Sequence, residues 1–118
     1  MKVLKICMLA VLVTGLIFSY ALAAGNAERG KALFNDPKAF GGQKACTSCH
    51  PNGKGLEKAG AKKEWMTPAG KTKTLEEAIN LCIVNANKGK ALDVKSEQMA
   101  DVVAYIKSLG AKKSTGGY

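Results

Sequence analysis

Apolar and polar residues follow three regimes along the chain. From Ile6 to Tyr20 runs an apolar segment, preceded by Lys2 and Lys5 and followed by Ala21-Leu22-Ala23-Ala24. A basic start, an apolar stretch and then small residues make the pattern of a cleaved export signal. Residues 1–24 are read as a signal peptide and 25–118 as one domain. The competing reading keeps Ile6–Ala24, at 19 residues, uncut as a membrane anchor, which its length just permits. Small residues stand where a stop-transfer helix would carry charge, which favours cleavage.

Beyond the leader the period is helical. Asn26 is placed to cap a helix over Ala27–Phe34, and Asn35-Asp36-Pro37 to end it. Phe40-Gly41-Gly42 reads as a loop. The stretch from Pro51 to Lys73 is rich in glycine and lysine, shows no clear period and reads as irregular. Loops of that length in a small domain are usually functional or wrapped around something. Thr74-Leu75-Glu76-Glu77 is a capping box, after which Leu75, Ala78, Ile79, Cys82 and Ala86 share one helical face up to a stop at Gly89. Ser96 caps a last helix in which Met99, Val102, Val103 and Ile106 recur at helical spacing, with Gly110 as its end. The tail from Ala111 to Tyr118 is polar and expected to fray. No segment reads as a strand, so the fold class is all-α, with three to four helices.

Size and cysteine count change this picture. A domain of 94 residues has a marginal core and usually needs a disulfide, a metal or a cofactor as a staple. Cys7 leaves with the leader, and the remaining Cys46, Cys49 and Cys82 are an odd number, which a disulfide framework does not use. The formal charge of +9 becomes +7 once Lys2 and Lys5 are removed. The lysines are scattered, and no aromatics interleave with them, which excludes a nucleic-acid reader. They read either as a solvated surface or as a landing site for an acidic partner protein.

The chemistry lies in Cys46-Thr47-Ser48-Cys49-His50, the spacing of a covalent haem attachment site. Two thiols three positions apart on a helical turn can each add to one of the two vinyl groups on a haem edge. The adjacent histidine is then placed to ligate the iron. A thioredoxin-like pair would need a βαβ setting, and a zinc ribbon would need paired ligand spacing; neither is present. His50 is the single histidine of the chain.

On these residues the domain resembles a class I (mitochondrial-type) monohaem cytochrome c. Gly30-x-x-x-Phe34 is similar to the N-terminal helix of that family, and Val102-Val103-Ala104-Tyr105-Ile106 to its C-terminal helix. The resemblance implies a small cytochrome c fold around one covalent haem c. Gly30 and Phe34 would pack against Val102 and Tyr105, Cys46 and Cys49 would form the thioethers, and His50 would be the proximal iron ligand.

The distal ligand departs from the family. The loop Asn85–Lys95, where class I members place a methionine, holds neither Met nor His. Cys82, Met99 and Met66 are the candidates, beside a lysine, water or an open site. The segment from Ile79 to Met99 resembles the Cys-ligated haem domains of thiosulfate dehydrogenases and related sulfur-oxidation cytochromes, which favours Cys82, although it lacks the nearby arginine of some relatives. Cys82 as an ordinary core residue stays open, as does Met99, which fits the apolar period of its helix. The resemblance implies a periplasmic electron-transfer protein, not itself an enzyme, that docks on redox partner proteins and meets a membrane only through an uncleaved leader. A haem subunit or enzyme of thiosulfate oxidation, and a haem-based gas sensor, are the alternatives.

Overall fold

The computed structural model describes residues 24–114. The assigned signal peptide, apart from Ala24, and the last four residues lie outside them. Among the described residues no helix is long and apolar enough to cross a membrane. Three helices, α1 (Ala27–Asn35), α2 (Leu75–Asn85) and α3 (Glu97–Ser114), carry the fold. Single 3-10 turns lie at Cys46–Ser48, Pro51–Gly53 and Ala59–Ala61.

Each helix begins where a polar side chain can satisfy its free amides. The Asn26 side chain accepts from the Arg29 N–H, and Thr74 Oγ1 accepts from the Glu77 N–H. Ser96 Oγ accepts from the Met99 N–H. The capping box at Thr74 is displaced by one residue, because Glu77 reaches back to the Lys73 N–H.

The terminal helices α1 and α3 cross at close range. A Cβ on Gly30 would land on the Asp101 carbonyl, so only glycine admits this approach. Phe34 then meets Tyr105 edge to face, ring centroids 5.1 Å apart at 63°. The expected pairing of Gly30 and Phe34 with the last helix is what the structure has. Arg29 and the Asn26 N–H converge on the Asp101 carboxylate at 2.9 and 2.6 Å, and Arg29 also reaches Glu97. Phe34, Ile83, Met99 and Val102 are the largest fully buried side chains of the core.

Three sequence expectations are corrected. The stretch read as irregular contains a hairpin, β1 (Trp65–Thr67) paired antiparallel with β2 (Gly70–Thr72), Trp65 opposite Thr72. Strands of three residues are too short to show a period, and the pair leans on α2 rather than standing alone. Helix α2 stops at Asn85 rather than Gly89, because Lys88 turns left-handed (φ 59°) and the Gly89 N–H bonds the Ile83 carbonyl at 2.9 Å. Ile83 takes the buried position and Ala86 is exposed. Helix α3 runs through Gly110 to Ser114; that glycine makes room for the Glu57 carbonyl instead of ending the helix.

Candidate haem site

The Cys46 carbonyl accepts from the Cys49 N–H at 3.3 Å and from the His50 N–H at 3.0 Å. One wound turn therefore carries all three side chains of the motif. The next turn, Pro51–Gly53, reverses the chain through Asn52 at φ 53° and Gly53 at φ 75°. Gly53 is buried beneath Leu109 of α3, where a Cβ would strike the leucine side chain. The motif is thus fixed against the last helix.

That reversal brings the Lys54 carbonyl oxygen to 3.0 Å from His50 Nδ1. A carbonyl can only accept, so the contact is a hydrogen bond from an Nδ1–H, and in the neutral ring that tautomer leaves the Nε2 lone pair available. An imidazole oriented by a carbonyl through one nitrogen, with the other free, is the usual arrangement of a histidine metal ligand.

Cys46, Cys49 and Cys82 are all unpaired thiols. Burial above all raises the Cys46 and Cys82 thiols above the ordinary thiol range. For Cys46 a hydrogen bond from Asn87 opposes the rise. Cys82 is half-buried at the edge of α2's apolar face, while Ile83 beside it is fully buried. Asn87 bonds the Cys82 carbonyl through its backbone N–H and Cys46 Sγ through its side chain, so the end of α2 that carries Cys82 lies against the motif turn, outside the deep core. Met99 lies in the apolar cluster with Phe34, Ile83 and Val102, and Met66 stands 80% exposed on β1. Trp65 packs on the edge of that cluster and donates its indole N–H to the Ala59 carbonyl at 2.9 Å.

Two asparagines that the sequence analysis did not single out, Asn80 and Asn87, shape the site. Asn80 on α2 clamps the following loop, accepting from the Leu92 N–H and donating to the Leu92 carbonyl, both at 2.8 Å. Asn87 is only 4% exposed. Its Nδ2 donates to Cys46 Sγ at 3.6 Å, its carbonyl accepts from the Gln43 N–H, and its own N–H donates to the Cys82 carbonyl. It ties the end of α2 to the motif turn. No local signal marks it, because its partner lies 41 residues away.

Two thiols on one turn, beside an imidazole oriented by the Lys54 carbonyl, fit the attachment and ligation of haem c. Residues 29–114 match the SoxA/TsdA cytochrome c domain family. The chain is also similar to a thiosulfate dehydrogenase of Psychrobacter arcticus, 38% identical over 80 residues, a match covering 59% of this chain and 24% of that protein. The chain thus spans much less than two thirds of that relative's length. No solved structure matches it. By the extent of the family match the chain belongs to the SoxA/TsdA cytochrome c domain family, whose prosthetic group is covalently bound haem c.

Proposed function

We propose that this protein is an exported, periplasmic monohaem cytochrome of class I type that transfers electrons between partner proteins. Cys46 and Cys49 anchor the haem through thioethers, His50 presents Nε2 as the proximal ligand, and Cys82 supplies the distal one. When bound, haem c supplies a one-electron couple at its iron. The Lys54 carbonyl would orient the imidazole by accepting from Nδ1–H, the tautomer that leaves Nε2 for the iron, and Cys82 as a thiolate would favour the ferric state and lower the potential. The scattered lysines form the surface on which an acidic redox partner docks.

The observation that carries this reading is the wound turn bearing Cys46, Cys49 and His50, to which Asn87 ties the Cys82 end of α2, while Met66 is exposed and Met99 lies in the apolar core. The test is the ferric absorption and electron paramagnetic resonance spectrum of the purified haem protein beside Cys82→Ser. A low-spin thiolate signal that the variant loses is the expected result. A methionine–iron charge-transfer band unchanged by the substitution would remove Cys82 from the iron.

A second reading is favoured by the similarity to a thiosulfate dehydrogenase: the domain serves thiosulfate oxidation as a haem subunit. Turnover of thiosulfate with a soluble electron acceptor separates the two. The electron-transfer reading expects none from this chain alone and reduction only by a partner.

A further inference from the structure

The geometry points to a docking groove between the Ala59–Ala61 turn and the C-terminal half of α3, which holds an acidic segment of a partner protein. The inference deepens the partner reading above and takes from it only the partner's charge. The two walls come together because each carries a glycine where they touch. A Cβ on Gly60 would crowd the Lys107 stem, and one on Gly110 would strike the Glu57 carbonyl. The space left between them is about 690 Å³ and open to solvent, which suits a short stretch of polypeptide rather than a single ion.

Lys58, Lys62 and Lys107 line this groove, and all three are exposed. Among the described residues none of them has an ion-pair partner, whereas Arg29 and Lys71 each do. One carboxylate, Glu57, lines the groove with them, and it accepts from the Gly55 N–H at 2.9 Å. The groove is therefore a concave strip with excess positive charge over a floor of glycine and alanine. Contact with Gly60 restrains the Lys107 stem, so less side-chain freedom remains to be lost on binding. Carboxylates of an incoming segment complement that charge, which favours encounter and sets register more than it adds affinity. An anionic membrane fits less well. A flat surface does not enter a concavity, and the exposed large apolar side chains, Met66, Val84 and Val94, lie outside the lining. The Cys46–His50 turn is also outside it, so the groove grips the partner without using the motif.

The test uses the purified full chain and a fluorescein-labelled peptide of eight glutamates as the probe, with binding read by anisotropy at low and at physiological salt. Two triple variants remove equal charge: Lys58→Gln, Lys62→Gln and Lys107→Gln in the groove, and Lys31→Gln, Lys38→Gln and Lys95→Gln outside it. Circular dichroism checks that both fold. The groove variant is expected to bind about tenfold more weakly than wild type, the other within about threefold, and salt should weaken binding throughout. Amide shifts caused by the peptide should centre on Gly60 and Gly110. Equal weakening by the two variants, or shifts centred elsewhere, would overturn the inference. So would binding to phosphatidylglycerol vesicles without binding to the peptide, which would make this a membrane surface. A protein that binds the peptide in the groove yet cycles no electrons would sink the electron-transfer reading and leave the groove standing.

Discussion

Gly30 on α1 sits against the main-chain carbonyl of Asp101 on α3, so close that a side-chain carbon at position 30 would overlap it. Two effects of Gly30→Ala oppose each other. Alanine improves helix propensity by about 1 kcal/mol, but forcing a methyl into packed backbone costs about 1–3 kcal/mol or more. A carbonyl of a helix cannot swing aside as a flexible side chain would, so the steric cost wins. Urea unfolding should give a clear loss of stability, with the helices pushed apart at the Phe34–Tyr105 contact.

Asp101 is 3% exposed and accepts from the Asn26 N–H and Arg29. Asp101→Ala strands a helix-start amide and leaves the Arg29 guanidinium with Glu97 alone. Its expected cost is about 2–3 kcal/mol, read from the shift in the denaturation midpoint. Glu97→Ala, which removes a half-exposed partner of Arg29, should cost well under about 1 kcal/mol.

Met66 and Met99 should separate cleanly. Met66→Leu alters a side chain in solvent, so stability should stay within about 0.5 kcal/mol and the iron spectrum unchanged. Met99→Ala empties a fully buried site and should cost about 2–5 kcal/mol, again without changing the axial ligands.

Burial, and then the charge of Glu28, raise the Tyr105 phenol above its ordinary range. The folded protein therefore holds this proton more tightly than the unfolded chain does. The sign follows: the contribution to stability is complete below about pH 10, the unfolded tyrosine value, and is lost as pH rises through the folded value. Thermal unfolding from pH 8 upward should show a decline in wild type that is shallower in Tyr105→Phe.

Asn80→Ala removes both hydrogen bonds that hold Leu92. Amide exchange at Leu92 should lose its protection, while exchange in α1 and in the core of α3 stays slow.

Features written locally were legible in the sequence. Asn26, Thr74 and Ser96 cap the helices because a short polar side chain three residues ahead of an amide can reach it, and that spacing is visible in the residues themselves. The Cys-x-x-Cys-His motif is legible for the same reason. What escaped depends on partners far along the chain. Gly110 looked like a helix end, yet its role is set by Glu57; Gly89 looked like a stop, yet the reversal falls at Lys88. The hairpin at Trp65 shows no legible period because each strand is only three residues long. Asn87 carries no mark in its own neighbourhood that it meets Cys46.

The bond from the Asn26 N–H to Asp101 joins residues 75 positions apart. Bringing the ends of a loop that long together costs about 4 kcal/mol in chain entropy, and long-range closure slows folding. The crossing of α1 and α3 therefore clasps a ring of chain in which the motif turn and α2 both lie. A change that opens that crossing gives freedom back to the whole ring, so a substitution far from the motif can loosen the frame on which it rests.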